Sequence, residues 1–264
     1  LEVYNQGDYD RAYSLFNEAL LNKFNPKYTA LTQFWRAEIL FRRGEYDKAI
    51  PLYKEYIGMS PRSETEHQMA YYNLGYCYFN MQRWADALGQ FERFTALYKP
   101  ADSYRVDALN RTGDVQNSIR AFQEALESYD AAARIDTSGK FYAQFQKAVV
   151  TGIVDGRPNG KINMLKQIIA AKQGDYVDDA VYELGRTYIG MERFTDAATM
   201  FKQYVDDYPQ GDKYLASLSD LGLAYQNLFD NNAALRDYQM TVEKAPNSPE
   251  PKAATIAHQS PYAG

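Results

Sequence analysis

The most constraining feature of this sequence is a repeated spacing of small and aromatic residues. A Leu-Gly-x-x-Tyr segment occurs three times, and each glycine is followed by an alanine after twelve residues and by an aromatic residue four positions later. The three sets are Gly75, Ala87 and Phe91; Gly185, Ala197 and Phe201; and Gly222, Ala234 and Tyr238. Residues three or four positions apart share one face of an α-helix. The spacing therefore predicts two successive helices in each copy.

The types of residue indicate how the two helices pack. Glycine allows the first helix to lie close to the second, where alanine is small at the closest approach. We expect the aromatic residue to fill the groove toward the next copy. A proline after the second helix, as at Pro209 and Pro246, cannot continue that helix, and the chain turns there. The pattern predicts an all-α fold of helix pairs that stack side by side.

This order of small, aromatic, small, aromatic and proline positions resembles the tetratricopeptide repeat. The resemblance covers nearly the whole chain and implies a right-handed α-solenoid of stacked antiparallel helix pairs. Weaker copies lie in register at Ala37, which takes the glycine position, and at Gly113. We expect a single solenoid domain over 1–264, made of a half repeat at about 1–27, repeats at 30–63, 68–103, 106–139, 178–211 and 215–248, a degenerate repeat at 142–176, and a capping segment and tail at 249–264.

The two ends and the middle of the chain depart from the pattern. The degenerate repeat has Lys161 where alanine is expected, and a strong turn signal at 155–160 directly precedes Lys161. The first residues match only the second half of a repeat, and the sequence starts at Leu1. We therefore expect a piece of a longer array whose first helix is missing. A capping helix is predicted to begin at Ala253 and to reach Gln259.

Composition and motifs argue against several classes of function. The 264 residues carry a formal net charge of −5 with both signs interspersed, which disfavours nucleic-acid binding. No apolar stretch is long enough to span a bilayer. The single cysteine, Cys77, and the two histidines, His67 and His258, provide no internal disulfide and no metal-binding spacing. We expect no catalytic residue, no metal and no cofactor, and therefore no enzyme activity in this chain.

The resemblance implies that the first helix of each repeat lines a concave groove through its second, fifth, ninth and twelfth positions. In two successive repeats these positions are almost all apolar or aromatic, and in the next they are polar and acidic. The predicted partner-binding residues are Leu31, Phe34, Phe41, Met69, Tyr72, Tyr76, Phe79, Asp107, Asn110, Asp114 and Asn117. Such a face suits an amphipathic helix or an extended peptide with basic residues. The alternative is that these aromatic side chains pack against each other, or against repeats outside this sequence.

A narrower resemblance comes from the length of the repeats. Glycine-equivalent positions are 36 to 38 residues apart, longer than the usual 34, and Tyr-Pro turns such as Tyr208-Pro209 separate the units. This is similar to a subgroup of bacterial cell-envelope proteins that includes outer-membrane assembly lipoproteins and the periplasmic partner of the Tol-Pal system.

The narrower resemblance implies a non-catalytic scaffold that binds a protein or peptide, in the periplasm or cell envelope rather than the cytoplasm. Self-association through the open first repeat is a further expectation. Two alternatives remain open. One is a regulatory receptor whose solenoid senses a peptide, and the other is the substrate-recognition arm of an enzyme whose catalytic domain lies outside this sequence.

Overall fold

The computed structural model describes residues 1–21, 25–156 and 158–244. The chain divides into two compact units, Leu1–Lys140 and Phe141–Gly264. The described residues form helices and no strand. This confirms the predicted all-α fold class. The predicted capping helix, Ala253 to Gln259, lies outside the described residues.

The helices follow one another in pairs. In unit 1 they are α1 (Glu2–Asn5), α2 (Tyr9–Leu21), α3 (Pro26–Arg42), α4 (Tyr46–Met59), α5 (Thr65–Asn80), α6 (Trp84–Leu97), α7 (Ser103–Ser118) and α8 (Phe122–Ala133). The helices that follow are α9 (Gly139–Val154), which begins at the unit boundary, α10 (Asn159–Ala171), α11 (Val177–Gly190), α12 (Phe194–Asp207), α13 (Tyr214–Asn227) and α14 (Asn231–Lys244).

Short turns make the paired helices antiparallel. Three residues separate α3 from α4, α5 from α6, α7 from α8, α11 from α12, and α13 from α14. The helices of each of these pairs pack together, and the second helix of one pair also packs on the first helix of the next, as α4 does on α5 and α12 on α13. Each unit is therefore a stack of helical hairpins.

An aromatic ring lies directly on the glycine of its own hairpin. A Cβ atom built on Gly75 would lie 2.7 Å from the nearest ring carbon of Phe91, and the same close approach joins Gly185 to Phe201. Gly113 and Gly222 face Tyr129 and Tyr238 in the same way.

This contact differs from the prediction that the ring points to the next repeat, because the ring lies on the glycine of its own hairpin. In an antiparallel pair that turns at Gln82, Gly75 lies seven residues before the turn and Phe91 nine residues after it, so the two are nearly level. Ala87, five residues after the turn, is equally near that level, but the atoms nearest to a Cβ built on Gly75 belong to the Phe91 ring. The ring therefore fills the space that the missing Cβ leaves.

The turn between paired helices has the same backbone conformation in every hairpin of the described ranges. One residue of each turn has a φ between 56° and 83°, in the left-handed region. These residues are Gly7, Gly44, Gln82, Arg120, Gly156, Glu192 and Phe229, each 36 to 38 residues after the one before. Only three of them are glycine, although glycine adopts this conformation at the lowest cost. The α9–α10 pair keeps this turn, at Gly156.

The short helix α1 supplies part of the first helix that the sequence predicted to be missing. The four-residue helix α1 precedes the Gly7 turn and packs on α2. Tyr4 in α1 is buried, and its ring contacts the rings of Tyr9 and Trp35. Tyr4 therefore belongs to an aromatic cluster that joins α1, α2 and α3 at the start of unit 1.

The left-handed turns give a prediction of stability. Glu192→Gly is expected to raise the free energy of unfolding by about 0.5–1 kcal/mol, because glycine relieves the strain of a positive φ. Gly44→Ala is expected to lower it by about 1 kcal/mol for the same reason. Urea denaturation followed by circular dichroism measures both changes.

Gly58→Ala is the matched control, since Gly58 lies inside α4 with nothing within 4 Å of its built Cβ atom. Alanine should stabilise the helix there by about 0.5–1 kcal/mol. Equal effects of Gly44→Ala and Gly58→Ala would show that the turn conformation does not decide the outcome.

Candidate functional site

The predicted partner-binding residues lie on the first helices of three hairpins of unit 1, α3, α5 and α7. Two of them are buried, Phe34 at 5% exposure and Asn110 at 3%. The Phe34 ring contacts the rings of Tyr53 and Tyr56, and the Asn110 amide donates a hydrogen bond to the carbonyl of Gly139 at 3.0 Å. Phe34 and Asn110 thus contribute to packing inside the unit. The other nine predicted residues are half-buried.

Aromatic rings near the ends of α3 and α5 pack against the start of the following helix. The centroid of the Phe41 ring lies 5.7 Å from that of Tyr46, and the centroid of Phe79 lies 5.4 Å from that of Trp84. These aromatic pairs are half-buried, so that they keep part of their surface at the solvent. Packing of aromatics against each other and an accessible aromatic face therefore occur together.

A carboxylate on α7 connects this aromatic face to the next hairpin. The Tyr72 hydroxyl donates to Oδ2 of Asp107 at 2.7 Å, and the Tyr76 hydroxyl donates to the same oxygen. Burial, and then the charge of Asp107, raise the pKa of both phenols well above the ordinary tyrosine value. Both hydroxyls therefore stay protonated and keep their hydrogen bonds at neutral pH. The three side chains tie α5 to α7.

The acidic stretch predicted on α7 is partly compensated by an arginine on the same helix. Arg111 Nη1 lies 2.6 Å from Oδ2 of Asp114, while Arg111 Nε lies 3.8 Å from Oδ1 of Asp107. The Arg111 guanidinium also lies 5.8 Å from the centroid of the Phe79 ring. The Tyr129 hydroxyl donates to Asp114 at 2.7 Å. Asp114 is thus the better neutralised of the two carboxylates.

Glu38 on α3 is a hydrogen-bonding centre that the sequence analysis did not identify. Its carboxylate accepts from the Tyr53 hydroxyl at 3.0 Å, from Asn73 Nδ2 at 2.7 Å and from Arg42 Nε at 3.2 Å. The Glu38 side chain is only 12% exposed. These bonds join three helices, α3, α4 and α5.

One signal in the sequence could have indicated the acceptors. Where the ring sixteen residues after the small residue is Tyr53 or Tyr129, the residue after the small position is its carboxylate acceptor, Glu38 or Asp114. The third such ring, Tyr238, has Leu223 at that position and donates to Gln226 instead. A buried phenol needs such an acceptor. Where the ring is Phe91, that position holds Tyr76.

Unit 2 contains a related contact between neighbouring first helices. Tyr182 on α11 donates to Oδ2 of Asp220 on α13 at 3.2 Å. Arg186, also on α11, places Nη1 3.3 Å and 3.4 Å from the two oxygens of the same carboxylate. Tyr182 and Tyr72 both lie three residues before the glycine of their hairpin. The sequence analysis named neither Tyr182 nor Asp220, because 38 residues separate them along the chain.

A second concave feature lies where α3 begins and α4 ends. It is an open cavity of about 590 Å³ whose lining includes Pro26, Ala30, Met59, Ser60, Pro61 and Glu64.

The buried ring of His67 lies beside this cavity. Its Nδ1 is 2.8 Å from the Ser60 hydroxyl, and its Nε2 is buried and has no hydrogen-bond partner. Burial, together with the charge of Arg62, lowers the pKa of His67.

Among the residues that the structure describes, no cluster of histidine, cysteine, aspartate and glutamate side chains has the arrangement of a metal site. In the same ranges, none of the helices combines the length and the apolar composition that a bilayer span requires.

Sequence models described as tetratricopeptide repeat match most of the chain. One model matches residues 1–64 and 72–140, which together make up half of the sequence, a second matches 179–211, and a third matches 215–245. Residues 141–178, which include the predicted degenerate repeat, lie outside these matches. No curated protein sequence matches the chain.

Solved structures have the same fold. The C-terminal part of a TPR repeat-containing protein from Cytophaga hutchinsonii aligns with a TM-score of 0.68 and 18% identity, over 85% of this chain and 84% of its own. PilW, described as a widely conserved type IV pilus biogenesis factor, aligns with a TM-score of 0.62 and 18% identity over 87% and 98% of the two chains. PilF of Pseudomonas aeruginosa gives 0.60 and 13%, over 88% and 99%. At these identities the likeness concerns the fold alone.

The buried His67 predicts a pH dependence of stability. Because its pKa is lowered in the folded chain, the unfolded chain binds a proton below about pH 6.5 that the folded chain does not. The contribution is therefore complete above about pH 6.5 and is lost as the pH falls toward the lowered value. Free energies of unfolding in urea at pH 7 and pH 5 should fall more steeply for the wild type than for His67→Gln. Identical slopes would contradict this assignment.

Proposed function

Since the chain belongs to the tetratricopeptide repeat family, whose members are generally protein-interaction scaffolds, we propose that it is a non-catalytic scaffold. Its partner is a peptide or helix of another protein, which binds on the α3, α5 and α7 face of unit 1. This face contains the half-buried members of the predicted set, from Leu31 and Phe41 on α3 to Asp107 and Asn117 on α7.

The observation that carries the proposal is an aromatic face fixed by its own hydrogen bonds. The rings of Tyr72 and Tyr76 lie 5.1 Å apart and edge-on to each other, and both hydroxyls are held by Asp107. Ring centroids of Tyr76 and Phe79 are 6.3 Å apart, which continues the row along α5. Side chains that are already ordered lose little conformational entropy when a partner binds. Tyrosine is also enriched among the residues that dominate interface energies.

The polar end of the face gives a direction to the bound partner. Apolar and aromatic side chains predominate on α3 and α5, whereas α7 presents Asp107, Arg111, Asp114 and Asn117. A partner with an apolar stretch beside a polar or charged one fits this gradient in a single orientation. The ion pair of Arg111 with Asp114 limits the net negative charge of the polar end.

We propose further that the partner belongs to an assembly of the bacterial cell envelope, and that the scaffold works in the periplasm. The narrower resemblance in repeat length and in the Tyr-Pro turns supports this proposal. A protein of the same fold, PilW, is described as a type IV pilus biogenesis factor, which is consistent with it.

The aromatic face predicts the effect of a double substitution. Phe41→Ser combined with Tyr76→Ser should reduce partner capture at least tenfold, because loss of two aromatic anchors removes apolar contact area at the centre of the face. The measurement is affinity capture by the immobilised chain from fractionated bacterial lysate, with captured proteins quantified by mass spectrometry. Envelope proteins should be enriched over cytoplasmic ones.

Met59→Ser combined with Met81→Ser is the matched control, since both methionines are exposed but lie at the end of α4 and in the turn after α5. Circular dichroism and thermal unfolding verify that each double variant is folded. Undiminished capture by the folded Phe41→Ser and Tyr76→Ser variant would rule out this face. Capture of cytoplasmic proteins alone would rule out the envelope assignment.

A further inference from the structure

Two tyrosines hold the Asp107 carboxylate on the proposed binding face, and a third tyrosine lies against one of them. Besides Tyr72 and Tyr76, whose hydroxyls donate to it, Tyr104 at the start of α7 places its ring 5.5 Å from that of Tyr72, nearly perpendicular to it. Tyr104 is 47% exposed. The Asp107 side chain itself keeps 34% of its surface at the solvent.

The charge of Asp107 is paired only loosely with a cation. Its two hydrogen bonds come from neutral phenols, and both use the same oxygen, Oδ2. The cation beside it, Arg111, lies 3.8 Å from Oδ1, whereas it lies 2.6 Å from Asp114. Asp107 is thus a partly exposed carboxylate that aromatic rings adjoin and that its own arginine contacts only loosely.

Unit 2 contains a similar tyrosine–aspartate pair to which an arginine is added. There Tyr182 donates to Asp220 as Tyr72 does to Asp107, and Arg186 provides a guanidinium for both carboxylate oxygens. Arg186 directly follows Gly185, and the residue that directly follows Gly75 in unit 1 is Tyr76. Asp220 lies two residues before Gly222, whereas Asp107 lies six residues before Gly113, which is one helical turn earlier.

In the sequence, therefore, unit 1 has the neutral Tyr76 at the position that Arg186 occupies in unit 2. We propose that the tyrosines around Asp107 form a subsite for a basic side chain, arginine above all, of the bound partner. This inference rests on the proposed function, because it assigns one contact of the partner on the same face.

The chemistry of the subsite favours a guanidinium. A planar cation can lie against an aromatic face and donate to a carboxylate in the same plane, which a compact ammonium does less well. The accessible Tyr104 ring supplies the face, and Oδ1 of Asp107 supplies an acceptor that no phenol uses. A partner carboxylate would meet the charge of Asp107 and is therefore excluded from this position.

The test uses the whole chain with ¹³C-labelled tyrosine rings and a minimal probe. N-acetyl-arginine methylamide is titrated while tyrosine resonances are followed by NMR, and N-acetyl-citrulline methylamide serves as the neutral isostere. The resonances of Tyr72, Tyr76 and Tyr104 should shift to saturation with the arginine probe only. Asp107→Asn should weaken the binding at least fivefold. Asp220→Asn in unit 2 is the matched control and should leave it unchanged.

A second pair of variants keeps the test decisive if Asp107→Asn does not fold. Tyr104→Ala removes an exposed ring and should weaken binding of the arginine probe about threefold. Tyr28→Ala removes an equally placed, exposed tyrosine at the start of α3 and should have no effect. Equal shifts with arginine and citrulline, or wild-type affinity of Asp107→Asn or Tyr104→Ala, would overturn the subsite.

Failure of the subsite and failure of the proposed function are distinguishable. If the Phe41→Ser and Tyr76→Ser variant loses its partner but the arginine probe behaves like citrulline, the face is the binding surface and the subsite is wrong. If the arginine probe binds as expected while that variant captures its partner undiminished, the subsite stands as a cation site and the proposed function is wrong.

Discussion

The structure depends on one contact that recurs in each hairpin with the clear pattern: an aromatic ring laid on a small residue of the antiparallel helix. Gly75 and Phe91 are the example, with the built Cβ atom only 2.7 Å from the ring. A three-residue turn with a left-handed central residue brings the two positions to the same level. The residues three before and one after the glycine lie beside this contact, since the Tyr72 and Tyr76 rings lie 6.4 Å and 5.3 Å from the Phe91 ring. Those positions then build the face on α5 and the cross-helix bonds of unit 2.

The face and the framework are made of the same side chains. Tyr72 and Tyr76 present ring surface and also hold Asp107 on the next hairpin, while Glu38 joins three helices. A buried carboxylate is costly unless it is paired, and several donors meet this cost for Glu38. The arrangement makes the face rigid, and it means that a substitution there changes stability as well as binding. Asp107 holds the framework together and also keeps part of its surface at the solvent, where a partner can reach it.

The sequence predicts the helices and their pairing well because the spacing of glycine, alanine and aromatic residues is a local signal. The same spacing does not predict which side chains are buried by residues of neighbouring helices. Phe34 and Asn110 satisfy the groove pattern, yet Phe34 is covered by Tyr53 and Tyr56 of α4, and Asn110 is drawn inward by the Gly139 carbonyl. The contact of Tyr182 with Asp220 joins residues in different hairpins. Such contacts depend on the rotation of one helix against the next, which periodicity leaves open.

A double-mutant cycle on Gly75 and Phe91 tests the central contact most directly. Gly75→Val is measured by urea unfolding in the wild type and in a Phe91→Leu background, where the flat ring is gone. The ring contact predicts a cost of about 2 kcal/mol in the wild type and less than half of that with leucine, a coupling of about 1 kcal/mol or more. The same cost in both backgrounds would contradict the account, because the glycine would then be needed for a reason other than the ring.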